Sequence, residues 1–487
     1  ERDDYADFHL KAECMWAGST ESSIFLRCGK ELLKGELPAG YQVIAGTRQN
    51  LNPFALQVTT ADNPKPTLLA NPTYRAPAGG DYRPLEIIAR GHRIEIKLDG
   101  KTIVDYIDEK ATHRKGRIAL HVSSPDAGGF LFKKLAIKEL PTAAVPDTPE
   151  QALPALAGSW TGAFTQKIAD GKPAAKKLDC NIAIDWVAGK RFLRQRVQHG
   201  NTGDLQLMTY DEASTVFRSW FFNAHGMTLG PSIGRWDKAT RTITWTNLPE
   251  AGLVGVKTLR FVDGDTVAWD VVFRDKAGSI IYEGSGQMSR TPHKVEINED
   301  LAAGPLPPEM AVLDRLVGDW QNTGVFEPGQ PGERKFAWKS TARRLLGGRL
   351  IDTQQTDGTY SISTYDPISK SYVRWLFDAE GRTLEYGGGW DEKTQTMKWH
   401  WSHKDGSQST STWRWRSLDQ REWHTLSKDA FGKTVHEADA VATRLSEPGW
   451  VQLFNGKDFT GWYMSAKENN IWAVENNTMV NRIGTAK

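Results

Sequence analysis

Two stretches of this 487-residue chain are copies of one another. LAGSW at 156–160 answers LVGDW at 316–320, and AGKRFL at 188–193 answers GGRLI at 347–351. TYD at 209–211, followed by Trp220 and Gly226, recurs at 364–366 with Trp375 and Gly381, a constant offset of 155. WDKATRTITW at 236–245 recurs as WDEKTQTMKW at 390–399 with an offset of 154, which holds through Glu283 and Arg290 against Glu437 and Arg444. Offsets that shrink so little mean duplication of one domain, with small loop deletions. The copies span 155–292 and 311–446.

Each copy reads as all-β. RTITWTN, TVAWDVVF, TMKWHWSH and STWRWRS alternate apolar and polar residues in short runs, joined by turn chemistry such as DGD, DKAG and DAFG. Regularly spaced antiparallel strands must hide their edges, and a closed barrel does this most completely. The repeats explain most of the 19 tryptophans, and Trp160 and Trp320 read as core fillers ahead of ligand contacts. AAVPDTPEQALP at 143–154 and TPHKVEINEDLAAGPLPP at 291–308 read as linkers.

Composition excludes some classes. A net charge of +2 with 25% charged residues gives no electrostatic footprint for a polyanion, so no nucleic-acid partner is expected. No apolar run approaches the ~20 residues of a transmembrane helix. Cys14, Cys28 and Cys180 form neither a disulfide framework nor a CxxC metal site; buried free thiols are expected, with a Cys14–Cys28 bridge as the alternative.

The outer segments are β-rich too. In YADFHLKAECMW, Phe8, Leu10, Ala12, Cys14 and Trp16 share one face, and His9, Lys11 and Glu13 the other. LEIIARGHRIEIKLDGKTIVDYID reads as three strands joined by tight turns. Two stacked antiparallel sheets suit this pattern.

These residues carry a resemblance. YADFHLKAE, SSIFLR, GYQVIAG, GRIALHV and FKKLAIKEL resemble the 3-keto-disaccharide hydrolase family, which implies a concanavalin-like jelly roll, usually secreted or periplasmic. That family's opening strands are matched only at the far end, by LFNGKDFTGW at 453–462 and IWAVENNTMV at 471–480. The two copies resemble small secreted lipocalin-like barrels of unknown function, on LxGxW, GGR and YDPISKSYVRW. The expected architecture is therefore an incomplete jelly-roll sandwich at 1–140, two tandem lipocalin-like β-barrels, and the first strands of a second jelly roll at 448–487. A parent polypeptide cut within both sandwiches, its signal peptide lost with the N-terminus, would give this order, and 450–487 are expected to be able to pair with 5–140.

The resemblance implies cleavage of a glycoside carrying a ketone at C3. The ketone acidifies the C2 proton, a base removes it, the aglycone leaves C1 by elimination, and water adds to the enone. Such a site needs a base, an enediolate stabiliser (an Arg or a divalent metal) and an acid for the leaving oxygen. Matched to the family's motifs, Glu13 is the candidate base, Arg27 of SSIFLR the stabiliser, and His121 a partial substitute for lost groups. His9, Gln42 and Ser123 are candidate sugar contacts. Gln42 stands where the family has a Glu, and Ser123 where it has a His, which weakens the case for catalysis. A bland reading stands beside most of them: Glu13 solvated on a half-exposed strand, and His9 and His121 as surface or hydrogen-bonded histidines; for Arg27 the functional and non-functional readings balance. Three functions follow: a 3-keto-glycoside-cleaving enzyme, a non-catalytic carbohydrate-binding or cell-surface module, or barrels that hold an apolar ligand on a sandwich scaffold.

Overall fold

The structure is a computed structural model of this chain; it describes residues 2–18, 22–33, 37–45, 51–73, 81–108, 110, 112–122, 128–140, 144–168, 177–247, 253–291, 293–301, 304–403, 405–445, 453–462, 472–475 and 478–481. The all-β expectation holds: two five-stranded sheets, two closed ten-stranded barrels and two small two-stranded pieces. Two compact units divide the chain, Glu1–Asp179 with Arg235–Val295, and Cys180–Gly234 with Glu296–Lys487, so the first barrel contributes strands to both.

In the N-terminal sandwich the first sheet runs Lys101–Ile107, Arg93–Leu98, Arg83–Arg90, Phe8–Gly18, Gly128–Glu139. The second runs Arg117–Val122, Ser22–Cys28, Gly40–Ile44, Leu56–Thr59, Thr67–Ala70. Alternation works as read: Phe8, Leu10, Ala12 and Cys14 from one sheet meet Ile24, Leu26, Tyr41, Val43 and Leu56 from the other. Each fully buried large apolar side chain contributes about 1.5–3 kcal/mol of transfer free energy. Gly116 is needed because a Cβ there would collide with the backbone of Arg27 and Cys28. Cys14, Cys28 and Cys180 are buried free thiols. One side of the sandwich stays apolar at its surface: Leu120 and Val122 on one edge strand, and Leu131, Leu135 and Ile137 on the other, are exposed. Both sheet orders draw only on residues 8–139, whereas Trp472–Glu475 pairs with Thr478–Asn481.

The repeated motifs build one frame twice. The indole N–H of Trp160 donates to Leu156 O, and that of Trp320 to Leu316 O, each at 2.8 Å. The last-strand arginine lies over the same ring, 4.3 Å from its centroid, in both copies: Arg290 over Trp160, Arg444 over Trp320. The Gly of LxGxW is obligatory, since Gly158 and Gly318 adopt φ of +132° and +123° and a Cβ would strike that arginine. In TYD the Thr hydroxyl donates to the carbonyl of the earlier arginine, Thr209 to Arg191 and Thr364 to Arg349, both at 2.8 Å. The Asp accepts from the following turn, Asp211 from Ser214 at 2.5 Å and Asp366 from Ser369 at 2.6 Å.

The segments read as linkers end in structure. Pro149–Leu156 is a helix whose Ala152, Leu153 and Leu156 are buried, and a short helix Met310–Leu313 runs into a 3₁₀ turn Asp314–Leu316 packed on Tyr372, Trp399 and Trp415. Proline at the first helical turn starts a helix as readily as it marks a linker. The first barrel's ordered frame thus begins before residue 155.

Within the second unit, the two copies meet through the same patch. Val187, Phe192, Leu205, Leu207, Trp220 and Phe222 pack with Leu345, Leu350, Tyr360, Ile362, Trp375 and Phe377, each the counterpart of the other in the repeat. Reciprocal contacts confirm the local two-fold: Gly226 lies against Arg349, and Gly381 against Arg191. The pair nearest to breaking that symmetry is Arg194 and Asp352, which occupy matching positions and are joined at 2.9 Å. Two identical subunits would have set like against like there; fusion let one copy keep a cation and the other an anion.

Candidate functional site

Of the six residues singled out in the sequence, the five that the structure describes fall in three separate places. His9 and Glu13 lie on the first sheet, on the face turned away from the sandwich core. His9 Nε2 is 2.7 Å from Glu86, and Glu13 is held by Lys134 at 2.6 Å and Lys133 at 3.4 Å. The hydrogen bond from Lys134 and the charges of both lysines keep the Glu13 carboxyl below the usual carboxylate range, the wrong direction for a base meant to take a carbon-bound proton. Further along, that face packs within its unit on the 235–295 segment, through Arg90–Asp265 at 3.2 Å and His92–Asp263 at 3.0 Å.

Arg27 is a structural cation. Only 2% exposed and at φ +50°, it donates to Ala6 O and Gly91 O at 2.7 Å, to His113 O at 3.3 Å and to Asp7 at 3.2 Å. The guanidinium therefore ties three chain segments together and has its donors engaged by the protein. Burial pulls its pKa down, with Asp7 opposing. Arg27 is thus engaged inside the protein, while Glu13 stands on the outer face of the first sheet with Lys134.

Gln42 and His121 do share a surface, the outward face of the second sheet. Strand register places Gln42 beside Phe25 on one side and Gln57 on the other, and His121 beside Ser23. Gln42 Nε2 donates to Ser23 Oγ at 2.8 Å, and the Phe25 and His121 rings meet edge to face at 6.1 Å. Three polar atoms here are buried without any hydrogen-bond partner: Gln42 Oε1, Gln57 Oε1 and His121 Nδ1. Each such atom costs about 1–3 kcal/mol. None of the five strands of this sheet carries an Asp or Glu. Ser123 lies outside the described residues. Gln57 was not singled out from the sequence, although a lone amide in LQVT, on a strand otherwise built for packing, is a readable signal.

A divalent metal was the open possibility for cofactor. Among the described residues one group has ligand-like spacing, His424, Glu437 and Asp439 on the surface of the second barrel, and it includes none of the sandwich residues. No described helix is long and apolar enough to cross a membrane.

With the geometry in place, residues 1–138 match the family model of the 3-keto-alpha-glucoside-1,2-lyase-like domain. No curated protein matches the chain. Among solved structures, a protein of unknown function of the DUF3598 family from Nostoc punctiforme PCC 73102 is 12% identical, covering 61% of this chain and 98% of that one at a TM-score of 0.20. The carbohydrate binding module CBM66 from Bacillus subtilis is 18% identical, covering 28% and 76% at 0.22. An S-type phycobiliprotein lyase from Guillardia theta is 11% identical, covering 30% and 94% at 0.24. These structural likenesses are too distant to bear on function.

Proposed function

We propose that the N-terminal sandwich is a carbohydrate-binding module of the 3-keto-glycoside lyase lineage that holds its sugar without cleaving it. The observation that carries this reading is the outward face of the second sheet, which offers two amide oxygens and an imidazole nitrogen without partners and no strand carboxylate to serve as base. Sugar hydroxyls both donate and accept, as such groups need, and Phe25 supplies an apolar surface beside them. Phe25 and Ile44 have no exposed surface, so a saccharide reaches these atoms only when this face opens. A secreted or periplasmic setting goes with this reading.

The cleavage reading is favoured by one observation, the family match over 1–138, and would make His121 the base. The two separate cleanly. The intact chain is incubated with a 3-keto-glucoside and its unoxidised counterpart, following aglycone release and, by calorimetry, binding. Binding without release supports the module, and weakening of that binding in Gln42→Leu and Gln57→Leu locates it. Release from the keto sugar alone, lost in His121→Ala, would replace this reading with the enzyme.

A further inference from the structure

The second barrel encloses a cavity of about 280 Å³ whose wall includes six tryptophans, at positions 320, 338, 399, 401, 413 and 423. Two arginines also line it, Arg374 and Arg421, only 6% and 7% exposed. Among the described lining residues there is no aspartate or glutamate. Arg374 makes a hydrogen bond to Ser361 Oγ at 2.8 Å. Arg421 makes none among the described residues, and its Nε is buried without a partner. Both guanidinium groups lie over the same indole, Arg421 at 4.4 Å and Arg374 at 4.8 Å from the centroid of Trp413.

Two buried cations without an anion form an expensive arrangement. Each has lost its water, and each repels the other, while cation–π contacts return only about 0.5–2 kcal/mol apiece. Burial lowers the Arg421 guanidinium to about 9, helped by the charges of Arg374 and Arg444, and burial lowers Arg374 to about 10. Both remain charged at neutral pH. Arg444 differs, being paired with Asp419 at 3.1 Å. The wall also carries uncharged groups that can orient a ligand, such as Ser411 and Thr425, whose hydroxyls lie 2.8 Å apart.

The first copy shows that the fold does not require these cations. Ser219 stands where the second copy has Arg374, and Val267 where it has Arg421. In place of Arg374 donating to Ser361, Gln206 donates to Ser219 Oγ at 2.6 Å, a neutral version of the same cross-strand bond.

We propose that the lumen of the second barrel binds an amphipathic organic anion, its carboxylate or similar head on Arg374 and Arg421 and its aromatic or aliphatic body among the tryptophans. The head supplies the counter-charge the protein withholds, in a site where water competes little. The rings supply the apolar contact.

The test compares naphthalene-2-carboxylate with naphthalene-2-carboxamide, alike in shape and unlike in charge, by titration calorimetry on the intact chain, with dodecanoate as the aliphatic arm. The carboxylate is expected to bind once per chain, about 10-fold or more tighter than the amide. Arg374→Met and Arg421→Met remove that preference and leave amide binding in place, while Arg421→Lys retains part of it. Competition by dodecanoate identifies an aliphatic body as acceptable; its failure to compete restricts the site to aromatic acids. The proposal is overturned if the acid and the amide bind the unmodified protein equally, if the preference survives both Met variants, or if neither naphthalene acid nor dodecanoate binds. The first of these needs no variant to fold.

Discussion

The two barrels are the same frame around different interiors. Trp160 and Trp320, Arg290 and Arg444, Thr209 and Thr364 make matching contacts to within tenths of an ångström. Those positions pin a backbone carbonyl or seat a ring, and both copies keep them. Ser219 against Arg374 and Val267 against Arg421 obey no such constraint, and there the copies part. A duplicated fold thus separates the residues that make a barrel from those that decide what it holds. The seam between the copies teaches the same lesson, for its apolar patch is duplicated while Arg194 and Asp352 are opposed in charge.

The difference at the interior can be broken from both sides. Val267 is fully buried, and Val267→Arg would put into the first barrel a cation for which no partner was built. That substitution is expected to cost about 3–5 kcal/mol, read as a loss of stability in chemical denaturation. The reverse exchange, Arg421→Met, is expected to leave the second barrel as stable or about 1–2 kcal/mol more so at neutral pH. The sign follows from a folded pKa of about 9, below the usual arginine value: the cost is full below pH 9 and fades as pH rises toward the unfolded value. A large loss of stability in Arg421→Met would make the arginine a structural cation and the contrast between interiors incidental.

The seam gives the next effect in size. Arg194 is bidentate to Asp185 and reaches Asp352, whose side chain is 8% exposed and whose pKa is raised by burial against the pull of Arg194. Arg194→Ala leaves that carboxylate the Tyr360 hydroxyl at 3.2 Å but no cation in contact, and is expected to cost about 3 kcal/mol, whereas Arg194→Leu with Asp352→Leu restores most of the loss. If single and double variants lose equally, packing on Tyr360 rather than charge explains the pair.

Much of the frame was legible. Motif spacing found the duplication, and period-two alternation assigned the sandwich core correctly from Phe8 to Cys14. Two things escaped. Proline and alanine before each barrel were read as linker, because a helix of one or two turns carries too little periodicity to outvote Pro149 and Pro154. The site was drawn from motif matches along the chain, which cannot tell that Glu13 and Gln42 lie on opposite outer faces of a two-layer sandwich, or that Arg27 turns inward to Asp7. The lumen arginines were hidden for a related reason. Arg374 in YVRW and Arg421 in QREW look like the polar members of exposed alternating strands, and only barrel closure turns that face inward.

The central claim is that Arg374 and Arg421 sit charged and unanswered in an aromatic lumen, waiting for an anion. The most direct measurement is the affinity of naphthalene-2-carboxylate, relative to its amide, between pH 7 and pH 10.5. The ionisable groups around Arg421 and Arg374 are Arg444 with Asp419, Tyr386, raised by burial to about 12, and His436, paired with Glu327 at 2.8 Å. Arg374, at about 10, and Tyr386, at about 12, titrate above Arg421, so the preference for the acid is predicted to hold to about pH 9 and then to fall, in step with Arg421. A preference that stays flat across that range, or that is absent at pH 7, would contradict the account.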